Sequence, residues 1–177
     1  ALYLCPKRGG LRVGPLVPYA GKYKGEDGKE RNLVGDIYFN FRRIEQHGLV
    51  VDAFAEEIKR KLTNQKLLES FDTVCGIPEG GRTLGQALGR ILGKRFVYAQ
   101  KKPKPKVEGK KQEYQWDLSQ FEFASGERLA VAEDVFNNFQ NTDNTLAEVA
   151  ATGAEVVLLL GALNRSPFAD AAYTPKS

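Results

Sequence analysis

The fold class of this chain follows from residues 71–100, which read FDTVCGIPEGGRTLGQALGRILGKRFVYAQ. The apolar run that begins this stretch stops at Gly76 and Pro78, and it predicts a short buried strand. Four apolar residues then share one face of a helix that ends at Gly93: Leu84, Leu88, Ile91 and Leu92. The β-rich segment RFVYAQ predicts a second strand. A strand, a helix and a strand in this order are typical of a parallel α/β sheet.

The same alternation continues toward the C-terminus. Residues 128–135 (RLAVAEDV) and 155–163 (EVVLLLGAL) are apolar runs, and residues 145–153 between them (TLAEVAATG) predict a helix. Because the apolar runs are continuous rather than alternating, we expect both faces of the sheet to be covered. Upstream, an amphipathic helix is predicted from apolar residues at a spacing of four: Phe54, Ile58 and Leu62. We therefore predict an α/β fold with a central, mainly parallel sheet flanked by helices.

The N-terminal part has a different character. It is rich in glycine up to Gly35 and holds only short apolar pieces, which predicts loops and short strands. We predict that residues 1–50 form a small hood packed on the core, and that residues 51–177 form the α/β core as a single structural unit.

Composition excludes several classes of protein. The chain has 177 residues, 42% hydrophobic and 27% charged, which is typical of a soluble domain. Two cysteines and the lack of an apolar run of ~20 residues exclude a disulfide framework and a transmembrane helix. Lys7 and Arg8 follow the first apolar residues rather than precede them, so we expect no signal peptide and a cytoplasmic setting.

The positive charge is local. The net charge is +4, yet residues 94–111 hold eight lysines and arginines and a single acid, while the rest of the chain has 18 basic and 21 acidic residues. The basic segment therefore predicts a site for a compact polyanion, and we do not expect a nucleic-acid-binding face.

Three segments that follow strands carry the candidate chemistry, because ligands of such sheets bind at the carboxyl ends of the strands. The first is Gly76–Gly81 (GIPEGG), where glycines let backbone N–H groups approach a ligand and the next helix N-terminus favours an anion. It matches neither the dinucleotide fingerprint nor the P-loop. A tight turn without a ligand explains this segment equally well.

The second segment ends an apolar strand with two adjacent acids, Glu133 and Asp134. Consecutive strand residues face opposite sides, so one carboxylate can reach a ligand while the protein holds the other. Such carboxylates suit hydrogen bonds to a vicinal diol or contact with Mg²⁺. Residues 136–145 (FNNFQNTDNT) follow, and we expect them to lead into a helix that begins near Leu146.

Within that connection, hydroxyls and amides could hold a phosphate. Thr142, Asn144 and Thr145 are residue types that cap helices and donate hydrogen bonds. An equally good interpretation is that Asp143 and Asn144 only cap the helix.

The third segment, residues 100–111, holds Pro103 and Pro105, which forbid a helix, and it is expected to be an exposed mobile loop. Its lysines before Val107 are Lys101, Lys102, Lys104 and Lys106. Because the loop follows RFVYAQ directly, it emerges near the same sheet edge and could close over a charged transition state. A solvated lysine segment is the alternative interpretation.

The order of these segments resembles the type I phosphoribosyltransferases, and most closely the orotate phosphoribosyltransferases. The family's pyrophosphate loop corresponds to GIPEGG in this chain. Its FVYxRK strand with a K-x-H-G loop corresponds to FVYAQKKPKPKVEGK. Its phosphate loop, V-E-D-V-x-T-T-G-G-S-T, corresponds to VAEDVFNNFQNTDNTL. The resemblance covers roughly residues 20–165. GDIYFNFR is similar to the family's SPxYFDLR segment.

The resemblance implies a fold, an activity and roles for residues. Glu133 and Asp134 would bind the ribose hydroxyls of phosphoribosyl pyrophosphate, and Thr142, Asp143, Asn144 and Thr145 would hold its 5-phosphate. Its pyrophosphate, with Mg²⁺, would lie on Glu79, Gly80 and Gly81, and Lys22 and Arg165 would contact the base. The catalytic candidates are Lys101, Lys104, Lys106 and Asp134. The family further implies a homodimer, a nucleobase substrate, and Mg²⁺ held through pyrophosphate and ribose without a firm protein ligand.

The chain departs from the family pattern in three places. Gln100 stands where the family has arginine, and Lys106 where it has the loop histidine. The phosphate loop holds no glycine and is about three residues longer. A cradle of inward-pointing N–H groups normally uses glycine at positive φ, so a different cradle or weaker phosphate binding is expected.

Three functions remain open on the sequence. The first is Mg²⁺-dependent transfer of a 5-phosphoribosyl group to a nucleobase, orotate or a related pyrimidine. The second is a protein of the same fold that binds a nucleotide or phosphoribosyl ligand without turnover, as a sensor or accessory protein. The third is a phosphatase or receiver-like domain that uses Glu133 and Asp134, although no second acidic cluster ends another strand.

Overall fold

The computed structural model describes residues 2–109 and 112–166. The chain divides into two compact units, Ala1–Ile44 and Glu45–Ser177. The predicted hood, residues 1–50, thus runs a few residues past the first unit, because the first helix of the second unit begins before its apolar pattern becomes regular.

The first unit is built from short antiparallel strand pairs. Its strands are β1 (Leu2–Leu4), β2 (Lys7–Arg8), β3 (Leu11–Arg12), β4 (Val17–Lys24), β5 (Glu30–Gly35) and β6 (Ile37–Phe39), followed by a 3₁₀ helix at Phe41–Arg43. The pairs are β1 with β6, β2 with β3, and β4 with β5. The expectation of short strands and loops in this part of the chain agrees with this arrangement.

The second unit has three helices and six strands in its described residues. They are α1 (Gly48–Asn64), β7 (Thr73–Gly76), α2 (Gly80–Leu92), β8 (Arg95–Tyr98), β9 (Gln100–Pro103), β10 (Tyr114–Asp117), β11 (Arg128–Phe136), α3 (Gln140–Ala151) and β12 (Glu155–Asn164). Four strands form one sheet in the order β12-β11-β7-β8, and every neighbouring pair is parallel. The predicted parallel α/β sheet is confirmed.

The core lies on both sides of this sheet. Val74, Cys75, Leu129 and Val131 have no solvent exposure, which agrees with strands that are continuous apolar runs. Glycine brings α2 onto β8, since a Cβ on Gly89 would lie 2.9 Å from the Cβ of Phe96. The predicted helix end at Gly93 is confirmed, and Gly93 has φ +64°, a left-handed conformation that favours glycine.

The segment after β8 is in part a strand, so the prediction of a loop over residues 100–111 is wrong at its start. Gln100–Pro103 pairs with Tyr114–Asp117 in an antiparallel ribbon, with Lys101 opposite Trp116. Pro103 is tolerated because it ends an edge strand, where its missing N–H costs no ladder bond.

Within the described residues, no helix is both long enough and apolar enough to cross a membrane.

Candidate functional site

The carboxyl ends of the four parallel strands lie along one edge of the sheet. Gly76 ends β7 beside Tyr98 of β8, and the backbone N–H of Arg165, after β12, donates to the carbonyl of Phe136 at the end of β11. This edge therefore collects the turn after β7, the acidic pair on β11 and the connection from β11 to α3.

The glycine turn and the acidic pair are in direct contact. A Cβ on Gly80 would overlap the carboxylate of Asp134, and a Cβ on Gly81 would overlap the carbonyl oxygen of Ala132. The backbone N–H of Ile77 also donates to that carbonyl at 2.9 Å. Glycine is needed here because the backbone of α2 begins against β11 and leaves no room for side chains. The glycine turn and the acidic pair, which are separate segments of the sequence, thus form one surface.

Glu79 belongs to the glycine turn and is the N-cap residue of α2. Its side chain is exposed, and the peptide bond that precedes it, Pro78–Glu79, is cis. Its carbonyl accepts a hydrogen bond of 3.1 Å from the N–H of Arg82.

The two acids differ in environment. Glu133 is 7% exposed, whereas Asp134 is half-buried at the edge. Burial raises the pKa of Glu133 well above its usual range, and a hydrogen bond with Asp134 and the charge of that neighbour raise it further. Asp134 is thus the more accessible of the two acids, and its contact with a ligand stays a prediction.

The connection from β11 to α3 differs from the prediction. The helix begins at Gln140, not near Leu146, so Thr142, Asp143, Asn144 and Thr145 lie in its first turns rather than in a loop. Thr142 and Thr145 are buried, and the Thr145 hydroxyl donates to the carbonyl of Asn141 at 3.0 Å. The interpretation of Asp143 and Asn144 as helix caps is also wrong, because Phe139 holds the N-cap position.

Phe139 is a residue that the sequence reasoning missed. It has φ +59°, which favours glycine, and it is buried with its ring stacked on Phe136 at 5.2 Å. The ring of Phe136 lies against Gly161, where a Cβ would be 2.6 Å from its edge. An aromatic stack thus holds the backbone turn that glycines form in the resembled family.

Replacing Phe139 with glycine is expected to lower the free energy of unfolding by about 1 to 4 kcal/mol. Loss of a buried phenylalanine ring costs about 3 to 5 kcal/mol, and relief of the left-handed conformation returns about 1 to 2 kcal/mol. Urea unfolding followed by circular dichroism measures the difference. A variant more stable than the unaltered protein would mean that the ring stack does not hold the turn.

The lysines of the ribbon are held by its own side chains. The ammonium of Lys101 lies 4.6 Å from the ring of Tyr114 and 5.5 Å from that of Trp116. Lys102 forms an ion pair with Asp117, and the ammonium of Lys104 is 4.0 Å from the carboxylate of Glu113. Lys106 is exposed. The structure thus carries three of the lysines on a ribbon that starts two residues after β8.

Lys22 and Arg165 fall in different units. Lys22 lies on β4 in the first unit and forms an exposed ion pair of 2.6 Å with Glu30. Arg165 lies just beyond β12, at the sheet edge. Their shared contact with a base stays a prediction.

Arg82 is a second residue that the sequence reasoning missed. It lies in the first turn of α2, and its guanidinium carbon is 3.8 Å from the centre of the Tyr98 ring. This contact places a cation beside the ends of β7 and β8. The signal in the sequence was an arginine directly after two glycines.

A protein-bound metal centre is not found in residues 2–109 and 112–166, where no three His, Cys, Asp or Glu side chains form a group suited to a metal ion.

Sequence comparison finds orotate phosphoribosyltransferases. The chain is 29% identical to the one from Wolinella succinogenes over 131 residues, 73% of this chain and 58% of that protein. It is 30% identical to the one from Sulfurovum sp. over 118 residues, 66% of this chain and 51% of that protein. The chain thus spans between half and three fifths of the length of these curated relatives. No family model matches.

Solved structures of phosphoribosyltransferases share the fold. Adenine phosphoribosyltransferase from Saccharomyces cerevisiae aligns with a TM-score of 0.58 at 14% identity, over 81% of this chain and 83% of that one. Orotate phosphoribosyltransferase from Aeropyrum pernix aligns with a TM-score of 0.53 at 16% identity, over 85% and 88%.

Proposed function

Because the chain has the fold of the type I phosphoribosyltransferases and is related in sequence to orotate phosphoribosyltransferases, we propose that it is a phosphoribosyltransferase. The proposed reaction transfers the 5-phosphoribosyl group of phosphoribosyl pyrophosphate to a nucleobase, orotate or a related pyrimidine. The bond from ribose C1 to pyrophosphate breaks, and a bond from C1 to a ring nitrogen forms. The observation that carries the proposal is the contact between the glycine turn and Asp134.

Each part of the edge has a role in this reaction. The Asp134 carboxylate accepts hydrogen bonds from the ribose hydroxyls, and the N–H groups at Gly80 and Gly81 face the leaving pyrophosphate. Lys101 and Lys104 offset the negative charge that develops on pyrophosphate as it leaves. Mg²⁺, bound through the pyrophosphate and ribose, supplies further charge neutralisation.

The resemblance to the family also supports a homodimer and a cytoplasmic setting, which we include in the proposal. We further propose that Lys106 stands in place of the family's loop histidine, where its ammonium donates a hydrogen bond to the leaving pyrophosphate, while the proton that the ring nitrogen loses passes to water. The 5-phosphate would lie at the N-terminus of α3, where the N–H groups of Asn141 and Thr142 precede the first helical hydrogen bond.

A second candidate is a binding protein of the same fold without turnover. It is favoured by the connection before α3, where Phe139 and amide side chains replace the glycines of the family's phosphate loop. Saturable binding of phosphoribosyl pyrophosphate without release of pyrophosphate would support it over the enzyme.

Asp134→Ala is expected to weaken binding of phosphoribosyl pyrophosphate with Mg²⁺ by ten- to a hundredfold. Hydrogen bonds to a charged group contribute about 1.5 to 3 kcal/mol, and each 1.4 kcal/mol is about tenfold in Kd. Calorimetric titration measures the change. Glu155→Ala is the matched control, because it removes an acid from the other end of the sheet, at the start of β12.

Failure of the unaltered protein to bind the donor would contradict the proposed function. Equal affinity of the Asp134→Ala variant and the unaltered protein would remove Asp134 from the site.

A further inference from the structure

The guanidinium group of Arg82 has an aromatic neighbour but no carboxylate partner in the described part of the chain. Arg82 lies in the first turn of α2 and is exposed. Its guanidinium carbon is 3.8 Å from the centre of the Tyr98 ring, and within residues 2–109 and 112–166 it forms neither an ion pair nor a side-chain hydrogen bond. By contrast, Arg90 in the last turn of the same helix forms an ion pair with Asp52. The N–H donors of Arg82 are therefore available to a ligand.

The Tyr98 ring under Arg82 is itself held by two further rings. Phe96 stacks with it at a centre-to-centre distance of 5.9 Å, and Phe121 meets it edge-on at 5.4 Å. A guanidinium that lies on a ring face keeps its in-plane N–H groups free for paired hydrogen bonds to an oxyanion. The fixed ring thus restrains a flexible side chain before a ligand arrives, which reduces the ordering cost of binding.

The position of Arg82 at the sheet edge follows from the strand order. The strands β7 and β8 are neighbours, and Gly76 pairs with Tyr98 at their carboxyl ends. The glycine turn follows β7, and the lysine ribbon begins two residues after Tyr98. A Cβ on Gly76 would be 2.7 Å from the Cα of Arg82, so the Arg82 backbone starts at the end of β7 and its side chain reaches the end of β8. The guanidinium therefore stands beside both segments to which the proposed function assigns the pyrophosphate.

Position 100 supplies no cation at this end of β8. Gln100 stands where the resembled family has arginine, and its amide donates a hydrogen bond of 2.9 Å to the Oε1 atom of Gln120. This side chain is neutral and is bonded within the protein. Arg82 is thus the arginine that α2 and β8 bring to their shared end.

We propose that Arg82 is a substrate-binding residue whose guanidinium donates hydrogen bonds to the pyrophosphate group of phosphoribosyl pyrophosphate. A diphosphate offers oxygens both to the N–H groups of the glycine turn and to a guanidinium fork. The inference rests on the proposed function for the identity of the ligand. The residues that the resemblance implies for this group at the turn are Glu79, Gly80 and Gly81, and Arg82 is not among them.

Placement on a helix gives Arg82 a role that differs from that of the ribbon lysines. Its charge belongs to α2, which packs on the sheet, so it meets the diphosphate of the bound donor and of the released product alike. Inorganic pyrophosphate with Mg²⁺ is therefore a sufficient probe, and calorimetric titration measures its Kd. Urea unfolding of each variant checks that the fold is kept.

Arg82→Gln should bind inorganic pyrophosphate about tenfold more weakly than the unaltered protein, because hydrogen bonds to a charged group are lost. Arg82→Lys keeps the charge without the fork and should bind with an affinity between the two. The matched control is Arg90→Gln, the same change at the other end of α2, which should bind within about twofold of the unaltered protein. Equal affinity of Arg82→Gln and the unaltered protein would overturn the proposal, and so would an equal loss in Arg90→Gln.

The ring of Tyr98 is tested in the same titration. Tyr98→Phe keeps the ring face and should bind like the unaltered protein, whereas Tyr98→Leu should bind about threefold more weakly, because the cation–π contact is lost. In the Arg82→Gln background, Tyr98→Leu should have no further effect, since the ring acts through Arg82. A full additional loss there would contradict this role of the ring.

Titration with phosphoribosyl pyrophosphate separates this inference from the proposed function. If Arg82→Gln and the unaltered protein bind the donor equally well, the proposed function stands and Arg82 is excluded from the site. If the unaltered protein binds inorganic pyrophosphate through Arg82 but does not bind the donor, the proposed function fails while the diphosphate site remains. Binding of neither ligand overturns both.

Discussion

Replacing Gly81 with alanine is expected to lower the free energy of unfolding by about 2 to 3 kcal/mol, since overpacking a close contact costs this much. The added Cβ would overlap the carbonyl oxygen of Ala132, which is backbone of a central strand. That carbonyl also accepts the N–H of Ile77 at 2.9 Å, so it cannot move without breaking this bond. The higher helix propensity of alanine offsets only about 1 kcal/mol of this loss in stability.

Gly80→Ala is the matched variant for this prediction. Its Cβ would meet the Asp134 carboxylate, the end of a side chain that can rotate away. We therefore expect a loss of stability below about 1 kcal/mol, together with weaker binding of phosphoribosyl pyrophosphate, because Asp134 is displaced. Urea unfolding and calorimetry of both variants give the comparison. Equal stability of the Gly81 variant and the unaltered protein would mean that α2 does not begin against β11.

The sheet could be predicted because its signals are local. The continuous apolar runs in β7, β11 and β12 reflect burial on both faces, and the stripe of α2 with Gly93 at its end needs no long-range information. The acidic pair could be placed beside the glycine turn because parallel strands end at the same edge. The depth of Glu133 could not be predicted, since it depends on Gly76, Gly81 and Gly161, which meet only in the folded sheet.

The start of α3 could not be predicted because tertiary packing overrides the capping preferences. Residue types that favour a helix start stand at Thr142 to Thr145. The helix nevertheless begins at Gln140, directly after Phe139. Phe139 occupies this position because its ring stacks on Phe136, whose place depends on Gly161 of another strand. The N-terminus of α3 lies several residues earlier as a result, and the donors available to a phosphate change with it.

The aromatic residues Tyr114 and Trp116 indicate a hairpin beside the lysine loop, but the extent of that hairpin, which takes Gln100–Pro103 into its first strand, could not be predicted for a similar reason. Lysine and proline are poor strand formers, and the pairing joins Lys101 to Trp116 across a connection that sequence periodicity does not show. The aromatic rings of Tyr114 and Trp116 under the ammonium of Lys101 make the strand favourable.

Replacement of Lys101 and Lys104 by alanine together is expected to lower turnover with orotate about a hundredfold, if the proposed function holds. Preorganised cations that meet the charge developing in a transition state contribute this much or more. The ribbon holds Lys101 over two rings and Lys104 beside Glu113, so both positive charges are in place before the pyrophosphate leaves. The cost in stability is smaller, about 1 kcal/mol, from the lost cation–π contacts.

Pyrophosphate release at saturating donor and base measures turnover, and urea unfolding measures stability. The matched control is Lys59→Ala with Lys61→Ala, which removes two charges from α1 and is expected to leave turnover unchanged. A hundredfold loss of turnover in the ribbon variant alone would show that the effect depends on where the two lysines lie and not on the net charge of the protein. Equal turnover of the ribbon variant and the unaltered protein would exclude both lysines from the transition state, because a cation that contacts the leaving group cannot be removed without raising the barrier.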